Sequence, residues 1–229
     1  MFAWMLVLLG VGSVLWFSLS AYRQQQVTQE IQGLGGSFYQ RPRGPGILQD
    51  PLIGEVIHVN LNNWQATDAT LSLITRLTSL EDLWLNNTQV TDDGLVHLSR
   101  LKRLQRLSLV HTKISDAGLV HLRELASLQG LYLGSTRVTD HGLAHLSGLP
   151  DLAGLDLEHT QVTDAGLVHL KRLTKLEVLA LTDTQLTDGG LAYLMEMTSL
   201  ARLSVANTQV TDAGVAELQR ALPGLLIDR

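Results

Sequence analysis

From Val56 onward the chain repeats itself every 24 residues. Leucines open successive copies at positions 80, 104, 128, 152, 176 and 200, and a divergent first copy from Val56 makes seven. One copy runs from Leu152 to Lys175, LAGLDLEHTQVTDAGLVHLKRLTK. Its first half alternates, with Leu155 and Leu157 on one side and Asp156 on the other, which is the period of a strand. In its second half Leu167, Leu170 and Leu173 recur at the spacing of a helical stripe. Each unit is therefore a short strand, a tight turn and a helix. No unit of this size can bury its leucines alone, so neighbouring units must stack.

A repeat is its own control. Positions held across copies serve what every copy shares, and positions that vary are where a partner can be distinguished. Thr88, Thr112, Thr136, Thr160, Thr184 and Thr208 stand where the chain leaves the strand. A hydroxyl there can satisfy backbone groups that lose their sheet partners. Trp64 takes this place in the first copy, so the threonine column is expected to begin at Thr88. Pairs such as Thr163–Asp164 suit a helix start, the Thr as cap and the Asp at the positive end of the dipole. Gly166 and its equivalents are expected to let the helix approach the strand layer closely. His97, His121, His145 and His169 form another column, expected on the helix flank, bridging adjacent units. Neighbouring helices pack about 8–10 Å apart. Two nitrogens on one zinc at about 2.0–2.1 Å each would have to lie much closer together. A metal site is not expected.

The LxxLxLxxTxV run carried by Leu80, Leu83, Leu85, Thr88 and Val90 recurs in the following copies. It resembles the leucine-rich-repeat family over about three-quarters of the chain. Thr stands where that family usually has Asn or Cys. The TDxGLxHL half is similar to a subclass frequent in bacterial repeat proteins, and somewhat to the repeats of F-box adaptors. The resemblance implies an α/β solenoid with parallel strands on the concave face and helices on the convex face. The repeat domain would span residues 56–229, its register broken at Pro223–Gly224 and closed by a short strand at 225–227.

The varying columns lie on the outward face of the strands. Candidate binding residues there are Asn60, Trp84, Asn86, Arg106, Ser108, His111, Tyr132, Asp156, Glu158 and His159. Strands stack about 4.8 Å apart, which places Trp84 and Tyr132 about 10 Å apart with Ser108 between them. Aromatics are frequent hot spots of protein recognition, and Asp156, Glu158 and His159 form a polar cluster beside them.

Upstream of the repeats, residues 1–22 carry no charged side chain and are almost wholly apolar from Phe2 to Leu19. Eighteen helical residues reach about 27 Å at 1.5 Å each, close to the roughly 30 Å hydrocarbon core of a bilayer. A transmembrane anchor is expected, single-pass. The rival is a cleaved signal peptide, which usually has a basic start and a shorter apolar run. Arg23, Arg41 and Arg43 all follow the span, so positive-inside counting would keep the repeats in the cytoplasm. Residues 23–55 are expected to supply a short polar helix, a turn-rich linker at RPRGPG, and a cap from ILQDPLIGE over the open end of the sheet.

The net charge of -5 gives no basic footprint for nucleic acid. The chain has no cysteine, which removes thiolate and iron–sulfur chemistry. There is no phosphate loop, GxSxG elbow, HExxH or Cys–His pair. These absences point away from an enzyme, a cofactor or a catalytic residue. The expected role is recognition: a membrane-anchored module that binds a partner, a protein first, on its concave face. A cell-envelope glycan held on Trp84 and Tyr132 is the alternative, and a ubiquitin-ligase type of adaptor ranks below both.

Overall fold

The computed structural model describes residues 22, 24–41, 54–63 and 65–229. Nine strands form one sheet in strict chain order. They are β1 (Ser37–Arg41), β2 (Glu55–Asn60), β3 (Asp82–Trp84), β4 (Arg106–Ser108), β5 (Gly130–Tyr132), β6 (Gly154–Asp156), β7 (Val178–Ala180), β8 (Arg202–Ser204) and β9 (Leu226–Asp228). From β2 to β9 all neighbours are parallel, and each residue faces the one 24 positions on, as in Asp82 opposite Arg106 and Tyr132 opposite Asp156. Parallel pairing needs a crossover after every strand, and here each crossover is one helical half-repeat. The result is a solenoid.

The inward leucines make one continuous core. Leu155, Leu157, Leu167, Leu170 and Leu173 are all within 2% of complete burial, and the same columns are buried in the other copies. The helices are α1 (24–33), α2 (Asp68–Ile74), α3 (Asp92–Leu95), α4 (Asp116–Leu119), α5 (Asp140–Leu143), α6 (Asp164–Leu167), α7 (Asp188–Leu194) and α8 (Asp212–Ala221). The middle four are single turns that tighten at once into 3₁₀ segments, Val168–Arg172 after α6 for example. Leucines three apart suit a 3₁₀ turn, which holds residues i and i+3 on one side.

At the leading edge β1 lies antiparallel on β2. Helix α1 buries Val27 and Ile31 in the core beside it. Gly36 joins them at a close approach: a Cβ there would lie 2.5 Å from Leu61 Cδ2 and 2.9 Å from the Asn60 carbonyl oxygen. Arg41 then ties β1 to the second repeat through a two-pronged ion pair with Glu81, at 3.1 and 2.9 Å.

At the trailing edge β9 keeps the 24-residue register, with Arg202 opposite Leu226. The strand expected at 225–227 sits one residue further on, and Pro223–Gly224 does not shift the pairing. The Leu226 N–H donates to the Ala201 carbonyl at 3.0 Å, continuing the inter-repeat bonds of the earlier copies. Among the described residues no helix is long and apolar enough to cross a membrane. The expected membrane span at residues 2–19, residues 47–53 and Trp64 all lie outside the described residues.

Candidate binding face

The recurring columns resolve into fastenings between repeats. The Asp140 carboxylate accepts the Thr163 backbone N–H at 2.8 Å and the Thr163 hydroxyl at 2.7 Å, one repeat on. Asp68, Asp92, Asp116, Asp164 and Asp188 do the same for Thr91, Ser115, Thr139, Thr187 and Thr211. Thr163 also caps its own helix, accepting from the Ala165 N–H. The carboxylate is thus more than a charge at a dipole end: it staples two units.

The glycine column serves the same staple. A Cβ on Gly166 would lie 2.5 Å from Asp140 Oδ1, and the equivalent glycines stand equally close to the Asp of the preceding repeat. The close approach expected toward the strand layer is therefore an approach to the neighbouring carboxylate. The threonine column is local. Thr160 Oγ1 donates to the Leu157 carbonyl three residues back at 2.6 Å, and from Thr88 to Thr208 the other copies repeat this. None of His97, His121, His145 and His169 makes a hydrogen bond or an ion pair among the described residues, so the expected bridging is absent. No group of three metal-ligating side chains occurs among the described residues either.

One varying column proves to be under conformational control. Asn63, Asn87, His111, Ser135, His159, Asp183 and Asn207 all have φ between 54° and 61°. That is the left-handed region, where Asn, Asp and His are enriched and β-branched residues are outliers. The reason is a backbone bond: the His159 N–H donates to the Thr182 carbonyl at 2.9 Å, and the His111 N–H to the Gly134 carbonyl at 2.9 Å. His111 and His159 are exposed, yet the turn restricts what can stand there. His159 Nδ1 lies 3.4 Å from Asp183 Oδ2 in the next repeat.

Several candidates support the same turns. Asn60 Oδ1 accepts the Asn62 N–H at 3.0 Å, and Asp156 Oδ1 accepts the Glu158 N–H at 2.9 Å. Asn86 Oδ1 accepts the Val110 N–H at 3.0 Å and the Ser108 hydroxyl. Burial pushes the Asp156 carboxyl above its ordinary value, and the Glu158 charge adds to this against the N–H bonds it receives.

What remains is an aromatic platform. The rings of Trp84 and Tyr132 are stacked, with centroids 5.7 Å apart and planes at 23°. Backbone spacing alone suggested about 10 Å. The side chains instead close over Ser108, which is small and 2% exposed. His58 extends the row, its ring centroid 6.4 Å from that of Trp84.

Beside the rings, two residues back along the strands, Arg106 clasps Asp82 with two bonds of 2.5 and 2.7 Å, and His58 Nδ1 lies 3.5 Å from the same carboxylate. Burial pushes the Asp82 carboxyl up, but the Arg106 and His58 contacts outweigh it and hold it below its ordinary value. Asp82 and His58 escaped selection as candidates. Their signal was present, since Asp82 and Arg106 are opposite charges in one column, 24 residues apart. The Trp84 Nε1–H is buried without an acceptor among the described residues. The structure thus joins Trp84, Arg106, Ser108 and Tyr132 in one patch. Asp156, Glu158 and His159 stand on the next strand and turn, while Asn60, Asn86 and His111 lie along its edges.

Residues 172–195 match the family model for leucine-rich repeats. No curated protein matches the chain. Among solved structures, an internalin C2 of Listeria monocytogenes is similar over 75% of this chain and 70% of its own, at 26% identity and a TM-score of 0.63. An internalin F of the same organism shares 22% identity over 75% of this chain, with a TM-score of 0.58. A leucine-rich-repeat protein of Leptospira interrogans shares 19% over 69%, with a TM-score of 0.50. The chain spans 52% and 45% of the lengths of these last two, and at such identities they support the fold alone.

Proposed function

We propose that this chain, a leucine-rich-repeat protein, holds a partner protein on its sheet face and carries out no chemistry on it. Domains of this fold generally mediate protein interaction. The observation that carries the reading is the Trp84–Tyr132 stack over Ser108, buttressed by the Asp82–Arg106 pair. Large, pre-stacked aromatics lose little freedom on binding, and Trp, Tyr and Arg dominate hot spots. The patch also lies in the columns where copies disagree, so it belongs to this protein and not to the repeat in general.

The reading includes a single-pass anchor through residues 2–19, supported by their uncharged, apolar run. The repeats would then begin close to the bilayer, since α1 follows the apolar run within a few residues and packs directly on the core.

Proximity labelling from the full chain, beside a Trp84→Ala/Tyr132→Ala variant, tests the partner. Loss of a defined labelled protein at unchanged thermal stability is expected, and identical labelling would overturn the reading. Alkaline carbonate extraction tests the anchor: the chain should stay in the membrane pellet, and release into the wash would refute it.

A further inference from the structure

Next to the aromatic platform the sheet face is hollowed. Gly130 and Gly154 leave two successive strands without side chains there, and Ala153 adds a third small residue. A cleft of about 280 Å³ results, walled by Tyr132 and Arg106 on one side and by Glu177 and Val178 on the other, with Gln105 and Gln129 at the rim. It continues through Gln129, Ala153 and Glu177 into a second hollow of about 460 Å³, which adds Thr174, Ser199 and the Lys175–Asp151 ion pair.

Tyr132 is held in place at the wall of the cleft. Trp84, two strands before it, stacks on its ring and does not line the cleft. On the next strand Asp156 stands opposite Tyr132, and Gly154 lies diagonal to it, opposite Gly130. One aromatic face is backed by Trp84, and the ring reaches back over Gly130 to line the cleft.

The polar lining is unspent. The side chains of Gln105, Gln129 and Glu177 make no hydrogen bond or ion pair among the described residues. Amide and carboxylate groups together supply both donors and acceptors. Both cations are already paired, which leaves Glu177, among the described residues, as a single uncompensated carboxylate shared by the two hollows. Arg106 is the cation of the first hollow and is already clasped by Asp82, while Glu177 is its carboxylate. In the second hollow Lys175 is paired with Asp151 at 2.6 Å. An anionic ligand would need a free cation, and a strongly cationic one would need more than the one carboxylate of Glu177. A ligand with many hydroxyls, an apolar ring face and no net charge meets all of these conditions.

We propose that this cleft binds a neutral oligosaccharide, one sugar ring laid against Tyr132 and the next reaching the hollow beside Lys175. The inference goes beyond the protein-partner reading and does not depend on it. That reading is tested by removing the Trp84 and Tyr132 rings together, whereas Gly154→Val blocks the cleft and keeps both rings, so either can fail alone.

The discriminating variant is Gly154→Val. A Cβ at Gly154 meets nothing closer than the Gln129 carbonyl oxygen at 4.0 Å, and Val178 already occupies the same column one repeat on. The variant fills the cleft and leaves the fold intact, which a thermal melt verifies. The full chain, in a detergent without a sugar headgroup, is titrated with maltotriose, cellotriose, chitotriose and mannotriose by saturation-transfer NMR. Sialyllactose and trilysine serve as charged comparators. Saturable binding of at least one neutral trisaccharide is expected, lost in Gly154→Val and weakened about tenfold in Tyr132→Ala. No saturation by any neutral trisaccharide, equal binding by Gly154→Val, or a preference for either charged probe would overturn the proposal.

Discussion

Asp140 binds Thr163 of the following repeat twice, through the backbone N–H at 2.8 Å and the hydroxyl at 2.7 Å, and Gly166 leaves room for the carboxylate. One carboxylate thus satisfies two donors that would otherwise be lost where the chain enters a helix. Replacing Asp140 by Ala strands a half-buried N–H and should cost about 1–3 kcal/mol. Gly166→Ala should cost a similar amount by overpacking. Because both act at one contact, the double variant should be less unstable than the sum of the singles. Chemical denaturation of the four proteins checks this, and strict additivity would mean the glycine serves something else.

The left-handed turn makes a prediction at His159, where φ is 54°. His159→Val should destabilise the domain by about 1–2 kcal/mol through backbone strain alone, while His159→Gly should be close to neutral. If Val and Gly proved equivalent in urea melts, the turn would not be under the control assigned to it.

Asp82 and Asp156 should respond to pH with opposite signs. The folded Asp82 carboxyl is held low, so its contribution is present above the ordinary carboxylate range and disappears as pH falls through the depressed value. The advantage of the parent chain over Asp82→Asn should therefore shrink in acid. The folded Asp156 carboxyl is raised, so its contribution is full in acid and is lost as pH rises through the raised value. Asp156→Asn should be the more stable protein near neutrality, with the gap closing on acidification. Melting temperatures across pH 3 to 7 would reveal both trends.

At the last strand Asp212 is engaged differently from the other members of its column. The Arg229 guanidinium takes its carboxylate instead and donates to the Val210 carbonyl at 3.1 Å. The Asp212 side chain is 96% exposed, so this pair should be worth no more than about 1 kcal/mol. Arg229→Ala should speed hydrogen exchange in β9 while barely moving the global melt. A large drop in melting temperature would show the end to be part of the cooperative core.

Sequence periodicity alone determined the solenoid. The strand, the helix, the 24-residue register and nearly every buried leucine are local patterns repeated, and a repeat that contacts only its neighbours leaves little topology to decide. It also separated architecture from candidate surface by which columns recur. Three things were decided only by tertiary structure. The partner of Asp140 lies 23 residues away, so a local reading of Thr163–Asp164 saw a cap and missed the staple. The freedom of the His159 column was overstated, because a φ of 54° follows from a hydrogen bond to the next repeat and has no sequence period of its own. The Trp84–Tyr132 stack and the cleft beside it depend on what stands between side chains and not on strand spacing. Ser108 is small enough for two rings to close over it, and Gly130 and Gly154 leave a hollow that Tyr132 lines.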